Sequence, residues 1–317
     1  MGSKVSPSAI SASPWLSSSA ELMKVGVQLP EVERVVRWQE VRRMAVLAED
    51  AGFDSLWVGD HYLYRDRSGG SPRGPWEAWT QLAAIGAATT RIVIGPLVAS
   101  LPFHNPAVLA KMASTVDEIS GGRLTLGIGS GWNATEFLAM GLPFDRRVAR
   151  FEESFHIVRR LLAGETITVH GGFYDLDECV LHPASRRETP VPLMIGSMGP
   201  RMLDITLPHV AAWNVWFSEF ENRPELVPAL LTRLSDACAR VGRDMSTLEK
   251  SVAVLLDFGS DAPRRASANP ISGSVAEMAA ALGVIADVGI DHVQLVLDPI
   301  TEDSIAKAAE VVAQLRS

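Results

Sequence analysis

The sequence has few cysteines and no long apolar run. Only Cys179 and Cys238 occur in 317 residues, which is too few for a disulfide framework, and their separation is unlike that of metal ligands. No stretch approaches the roughly 18 apolar residues that a membrane-spanning helix needs. These absences argue against a disulfide-built secreted domain and an integral membrane protein, and we expect a reducing, cytoplasmic location.

Positive charge is also scarce. The chain has 29 Lys and Arg against 37 Asp and Glu, a formal net charge of −8 and a pI near 5.4. Such a chain does not attract phosphate backbones or anionic lipid. We therefore expect a small-molecule substrate and neither nucleic acid nor a membrane as partner.

The chain begins with a segment unlike the rest. Residues 1–22 are rich in Ser, Ala and Pro and lack a continuous apolar stretch of signal-peptide length, so we predict a disordered leader. The whole chain is 47% hydrophobic, and residues 23–317 are long enough for one large core. We predict a single domain there.

Strand-like and helix-like segments alternate through this domain. Eight strand segments, each followed by a helix, predict an α/β fold of the (β/α)8 TIM-barrel type. Two insertions are expected: a β-hairpin near 166–182, around Gly171-Gly172, and a long loop near 257–273. The predicted strands are 24–28, 55–59, 92–98, 124–128, 192–195, 211–215, 251–255 and 292–297, and the predicted helices are 38–51, 76–88, 107–119, 151–162, 200–208, 223–241, 275–288 and 301–316.

The ends of the predicted strands carry unusual residues. The second strand runs directly into Asp60 and His61, and in α/β barrels the chemistry lies where strands end. Glycines and serines follow the fourth and fifth strands, where free backbone N–H groups let a phosphate or a flat ring approach closely. His104, in FHNP, is expected to orient its loop rather than to react.

Rival chemistries lack their motifs. A metal-dependent barrel hydrolase needs clustered His and carboxylate ligands, whereas Gln28 is the only polar side chain of the predicted interior of the first strand, VGVQ, so we expect no metal. A GxSxG nucleophile elbow is absent. The run GIGSG lacks the GxGxxG spacing of a dinucleotide-binding turn.

Four segments, GFDSLWVGDH, TTRIVIGPLVASLPFHNPAVLAK, SGGRLTLGIGSGWNATEF and VPLMIGSMGPRML, occur in this order. Together they resemble the luciferase-like monooxygenase superfamily, and within it the branch that uses the deazaflavin coenzyme F420. The resemblance runs from about Lys24 to the C-terminus and implies a flavin across the carboxyl ends of the barrel strands. FMN enzymes of this superfamily typically have Glu-His-His where this chain has Asp60-His61, so F420 is the expected cofactor and FMN the alternative.

The resemblance also implies residue roles. His61 is the implied catalytic residue, a general base or proton donor at the substrate, which suits a pKa near neutrality. Asp60 would contact the deazaflavin ring, and Leu97-Val98 would form a non-prolyl cis peptide behind it. The residues implied to hold the coenzyme's tail and phosphate are Ser130, Gly131, Thr135, Gly196, Ser197 and Gly199.

One position departs from the sugar-phosphate dehydrogenases of the branch. They have a catalytic Glu where this chain has Trp132, which cannot move a proton, and Glu136, one helical turn later, is a poor substitute. We therefore predict hydride transfer between the deazaflavin C5 and a small neutral substrate: a carbonyl or alcohol, an imine or an activated alkene. The alternatives are an FMN-dependent monooxygenase and a non-catalytic flavin-binding barrel. A homodimer is considered because relatives are often dimers. The predicted aromatic pocket consists of Tyr62, Tyr64, Phe103, Trp132 and Trp216.

Overall fold

A computed structural model describes residues 22–65, 71–259 and 268–317. Residues 1–21 of the predicted leader and 260–267 of the predicted long loop lie outside these ranges. The strands are β1 (Lys24–Gln28), β2 (Ser55–Val58), β3 (Val93–Pro96), β4 (Ala99–Ser100), β5 (Leu126–Gly129), β6 (Ile167–His170), β7 (Asp175–Cys179), β8 (Leu193–Gly196), β9 (Ala212–Val215), β10 (Glu249–Asp257) and β11 (His292–Asp298).

Nine of these strands form one parallel sheet in the order β3-β2-β1-β11-β10-β9-β8-β5-β4. β3 and β4 are two pieces of one stretch of chain, and since β3 pairs with β2 and β4 with β5, the sheet closes on itself. A further bridge joins Ile94 to Leu124. The predicted TIM-type barrel is confirmed, although its third strand is interrupted at Leu97-Val98, where the peptide bond is cis.

The helices cover the outside of the barrel. They are α1 (Trp38–Asp50), α2 (Ala78–Ala88), α3 (Pro106–Ser120), α4 (Ala134–Ala139), α5 (Arg147–Leu162), α6 (Pro200–Thr206), α7 (Val227–Val241), α8 (Val275–Asp287) and α9 (Glu302–Leu315). Their apolar faces join the buried strand residues in one large core. Within the described ranges, no helix has both the length and the apolarity to cross a membrane.

The helices differ most from the prediction at α4, α5 and α7. α4 occupies part of the segment that was expected to be irregular. The sequence did not predict it, because its 6 residues are too few to show a helical period. α5 begins at Arg147 rather than at 151, because Arg147 and Arg150 flank the apolar residues of its first turn. α7 begins at Val227 rather than at 223, because a 3-10 turn, Pro224–Leu226, comes before it. The predicted hairpin insertion is confirmed as the antiparallel pair β6-β7.

The barrel interior is unusually polar. The Asn214 amide donates hydrogen bonds to Gln294 Oε1 at 2.7 Å and to Ser251 Oγ at 2.9 Å. Ser55 Oγ and His292 Nε2 share another at 2.8 Å. All five residues are buried. Buried polar groups need such partners because an unmade hydrogen bond in the interior costs about 1–3 kcal/mol, so these residues fix one another's positions.

Candidate active site

His61 lies at the carboxyl end of β2, held between two carboxylates. Its Nδ1 donates a hydrogen bond to Glu136 Oε2 at 2.9 Å, and its Nε2 is 3.6 Å from Glu31 Oε1. The Glu136 side chain is fully buried, while those of His61 and Glu31 are 17% and 11% exposed. The second distance is that of an ion pair rather than a hydrogen bond.

Glu136 also fixes the loop that carries His61. Its Oε1 accepts hydrogen bonds from the backbone N–H groups of Tyr62 and Leu63, the latter at 3.0 Å. Glu136 belongs to the short helix α4, so this one side chain ties the loop after β2 to the loop after β5. His61 is therefore held by its side chain and by its neighbours' backbone together.

The charge state of His61 follows from this setting. Burial of the imidazole by itself lowers its pKa, but the hydrogen bond to Glu136 and the charges of Glu31, Glu136 and Asp60 outweigh burial. The pKa of His61 is consequently raised above its ordinary value of 6.5. The site thus stabilises the imidazolium form of His61 relative to that of a free histidine.

Asp60 faces the interior beside His61. Its Oδ2 accepts hydrogen bonds from the backbone N–H of Ser100 at 2.9 Å and from His104 Nε2 at 3.0 Å, in keeping with the structural role expected of His104. Asp60 Oδ1 and Ser100 Oγ are buried and have no hydrogen-bond partner among the described residues. A ligand at the rim could satisfy both, since an unpartnered buried polar atom is costly.

The cis Leu97-Val98 peptide lies at the predicted place and is part of a closely packed floor. An added Cβ at Gly129 or Gly196 would come within 2.9 Å of a Val98 methyl carbon, and one at Gly127 would also lie 2.2 Å from the Pro96 carbonyl oxygen. The ends of two strands, β5 and β8, can converge on Val98 only because these three positions have no side chains. The result is a surface of backbone and one small side chain, which suits a flat ring.

The two loops predicted to bind the coenzyme's phosphate are neighbours, since they follow β5 and β8, which pair directly. Gly131 has a φ of +70°, so a side chain there would be strained. Ser197 Oγ accepts a hydrogen bond from the Gly199 N–H at 3.0 Å, so this hydroxyl supports its own turn. Ser130 is half-buried in the first loop, and Thr135 is half-buried on α4.

Two of the predicted pocket aromatics surround His61. The ring centroids of Tyr64 and Trp132 lie 4.6 and 5.9 Å from that of His61, and 5.9 Å from each other. Trp132 is 62% exposed. These two rings form the mouth of the site.

The other predicted aromatics lie apart from this group. Phe103 is 7% exposed and packs on Phe137, with ring centroids 4.6 Å apart, and Tyr62 stacks above it. Phe103 therefore supports the rim instead of lining an open pocket. Trp216 packs over the buried cluster that includes Leu97, at the top of the barrel interior.

Two acidic residues of the site were not predicted to act there. Glu31 stands three residues beyond β1, and Glu136 was expected to contribute little. Both lie beyond strand ends, Glu31 three residues after β1 and Glu136 seven residues after β5, and neither segment by itself indicates a contact with His61. Among residues 22–65, 71–259 and 268–317, no three His, Cys, Asp or Glu side chains are grouped as a metal site.

Fold and rim together define a TIM-barrel enzyme in which a closely packed floor of backbone and Val98 lies at the same rim as the partly buried His61 imidazole. The model of one protein family, described as luciferase-like monooxygenase, matches residues 18–283. The chain belongs to this family, as its strand-end motifs predicted.

Individual relatives point to the deazaflavin branch. The chain is 32% identical over 238 residues to the F420-dependent glucose-6-phosphate dehydrogenase of Beutenbergia cavernae, a match that covers 73% of this chain and 68% of the relative. It is 32% identical over 187 residues to the 5,10-methylenetetrahydromethanopterin reductase of Archaeoglobus fulgidus, covering 58% of this chain and only 50% of that enzyme.

Among solved structures, an F420-dependent secondary alcohol dehydrogenase in complex with an F420-acetone adduct superimposes with a TM-score of 0.77. The match covers 94% of this chain and 100% of that one at 20% sequence identity, which supports the fold. The expected branch of the superfamily is therefore confirmed by the sequence relatives.

Proposed function

We propose that this protein is an F420-dependent oxidoreductase in which His61 exchanges a proton with a small neutral organic substrate. The observation that carries the proposal is the position of His61, which is held between Glu31 and Glu136 at the barrel rim. A histidine fixed in this way is oriented for general acid-base catalysis.

The rim fits the coenzyme in shape and in polar groups. Val98 and the glycines around it would support the flat ring, and the unpartnered Asp60 Oδ1 and Ser100 Oγ would meet its polar edge. The Gly131 and Ser197 loops would hold the phosphate. When bound, F420 supplies or accepts a hydride at its C5 carbon; the protein contributes orientation and electrostatics.

The proton follows a different route from the hydride. Nδ1 of His61 is occupied by Glu136, so Nε2 is the ring nitrogen that exchanges a proton with the substrate. In reduction, Nε2 gives its proton to the oxygen of a carbonyl, the nitrogen of an imine or, in an activated alkene, the carbon next to the activating group. The neutral imidazole is then protonated again from solvent. In oxidation it accepts that proton. The raised pKa of His61 favours the protonated form, which suits reduction.

The mouth of the site indicates an apolar substrate. Trp132 replaces an acidic side chain with a large exposed ring, and Tyr64 stands beside it. Glu136 is fully buried beneath His61, so it acts through the imidazole and not on the substrate. Aromatic walls favour flat, neutral molecules. We therefore propose a carbonyl, imine or activated alkene compound rather than a sugar phosphate.

The test combines binding with turnover. Purified protein is titrated with F420 and with FMN, followed by absorbance and fluorescence, and hydride exchange is then measured across a panel of neutral carbonyl, imine and alkene compounds. We expect F420 to bind and at least one compound to react. In His61→Gln, F420 should still bind, while turnover falls by about 10²–10⁴-fold.

A matched control is His170→Gln, because His170 also pairs with a carboxylate but is 76% exposed on the hairpin. It should retain wild-type turnover. Tight binding of FMN together with no binding of F420 would contradict the proposal that F420 is the coenzyme. F420 binding without any hydride exchange would favour a non-catalytic carrier, and full turnover in His61→Gln would remove His61 from the mechanism.

A further inference from the structure

The first turn of α5 is built against the usual preferences of a helix. Arg146, Arg147 and Arg150 lie at its N-terminal end, where backbone N–H groups already give partial positive charge. No side chain caps this end among the described residues, and its first turn has no acidic residue. Local rules broken in this way tend to mark functional sites.

Aromatic rings hold the three guanidinium groups in place. The guanidinium carbons of Arg146 and Arg150 lie 4.6 and 4.3 Å from the centroid of Phe173, on the hairpin turn. That of Arg147 lies 4.4 Å from the ring of Phe144. Stacking fixes a guanidinium while leaving its N–H edge free to bind a planar or tetrahedral anion.

The carboxylates nearby are mostly engaged elsewhere. Glu152 pairs with Arg201 at 2.7 Å, and Glu153 accepts backbone N–H groups of the hairpin turn. Asp145 is the acidic partner of the arginines, 3.4 Å from Arg146 and 3.9 Å from Arg150, and its side chain is 65% exposed. Arg150 itself is 13% exposed, and its Nε has no hydrogen-bond partner among the described residues.

This arginine cluster is connected to the rim. Arg147 donates a hydrogen bond to the Gly131 carbonyl oxygen, and Gly131 lies directly above Ser100, whose Oγ an added Cβ would approach to 2.5 Å. The cluster is therefore one loop away from the floor on which the ring is proposed to lie. A molecule that extends outward from that floor past Gly131 meets the arginines next.

Resting on the proposed function, we propose that Arg146, Arg147 and Arg150 form a binding site for the anionic tail of the coenzyme. Beyond the phosphate, which the Gly131 and Ser197 loops would hold, F420 carries a chain of glutamate carboxylates, and these repeated negative charges match three guanidinium groups held at fixed positions. The substrate mouth at Trp132 would remain uncharged, which separates recognition of the coenzyme from recognition of the substrate.

The test compares F420 with its tail-free ring compound, the riboflavin-like deazaflavin that lacks phosphate and glutamates. Dissociation constants for both are measured by fluorescence for the wild type and for the double variant R146Q/R150Q, at low and at high salt. We expect the variant to lose at least about fivefold in affinity for F420, to bind the tail-free compound within about twofold of wild type, and to depend less on salt.

The matched control is R186Q/R233Q, which removes two exposed arginines from other parts of the surface and should leave both affinities unchanged. Equal F420 affinity in R146Q/R150Q and the wild type would overturn the tail site while leaving the proposed function intact. An equal loss of affinity for both ligands would also overturn it. Failure of the wild type to bind either deazaflavin would instead contradict the proposed function, in which F420 is the coenzyme.

Discussion

Replacement of Glu136 by Gln tests the electrostatic setting of His61 most directly. The amide has the size of the carboxylate, so it can still accept the backbone N–H groups of Tyr62 and Leu63. It removes the negative charge 2.9 Å from His61 Nδ1 and presents that nitrogen with a neutral group. The imidazolium thereby loses its strongest partner, and the pKa of His61 should fall.

The size of the fall follows from the strength of the lost contact. A hydrogen bond to a charged group contributes about 1.5–3 kcal/mol, and one pKa unit corresponds to about 1.4 kcal/mol. We therefore expect the pKa of His61 to fall by about 1–2 units. The raised pKa of His61 also affects the stability of the fold. Its contribution to the free energy of unfolding is fully present below the pKa of the histidine in the unfolded chain, and it disappears as pH rises through the pKa in the folded protein. The destabilisation of Glu136→Gln should thus shrink at alkaline pH.

The pKa is measured by NMR titration of the His61 ring proton, and independently from the alkaline limb of the pH dependence of kcat/KM. Asp175→Asn serves as the control, because the His170–Asp175 pair is largely exposed and such pairs contribute little. An unchanged or higher pKa of His61 in Glu136→Gln would refute the reasoning, as would an equal shift of His170 in the control.

Three further substitutions test other parts of the structure. In Gly59→Ala the new Cβ would lie 2.0 Å from Glu31 Oε1; the Glu31 side chain should move away and the pKa of His61 should fall in an NMR titration, with little change in the urea midpoint. Gly95→Ala would place a Cβ 2.2 Å from the Thr125 carbonyl oxygen, at the barrel closure, and should lower the free energy of unfolding by about 1–3 kcal/mol; an unchanged urea midpoint would contradict this. Burial raises the pKa of Glu49, but four backbone and side-chain hydrogen bonds lower it to about 2. After allowance for solvent screening, Glu49→Gln should therefore lower the free energy of unfolding by about 1–2 kcal/mol at pH 7. Urea titrations should show this difference shrinking as pH falls from about 4.5 towards 2.

Much of the barrel was predictable because its signals are local. The barrel strands are short runs rich in apolar residues and mostly buried on both faces, and the longer helices show a spaced apolar face, so these segments appear in sequence before any contact is known. The interruption at Leu97-Val98 came instead from resemblance to known relatives. Nothing in the composition of that segment indicates a cis peptide.

The acidic partners of His61 illustrate what local reasoning misses. Glu136 is 75 residues from His61 in sequence, and its helix is too short to be recognised by periodicity. Its burial depends on two loops from different strands meeting, which is a property of the closed barrel. Glu31 approaches the same imidazole only because Gly59 has no side chain. Such contacts are tertiary and leave little trace in either segment alone.

The buried amides inside the barrel have a consequence for assembly. A sheet of apolar strands could close with several alternative offsets between neighbours at similar energy. In this barrel, a shift of one residue between β9 and β10 would turn Asn214 or Ser251 away from its partner and leave buried donors unpaired. The polar interior therefore favours one register between neighbouring strands of the barrel. In that register the strand ends that form the rim lie side by side.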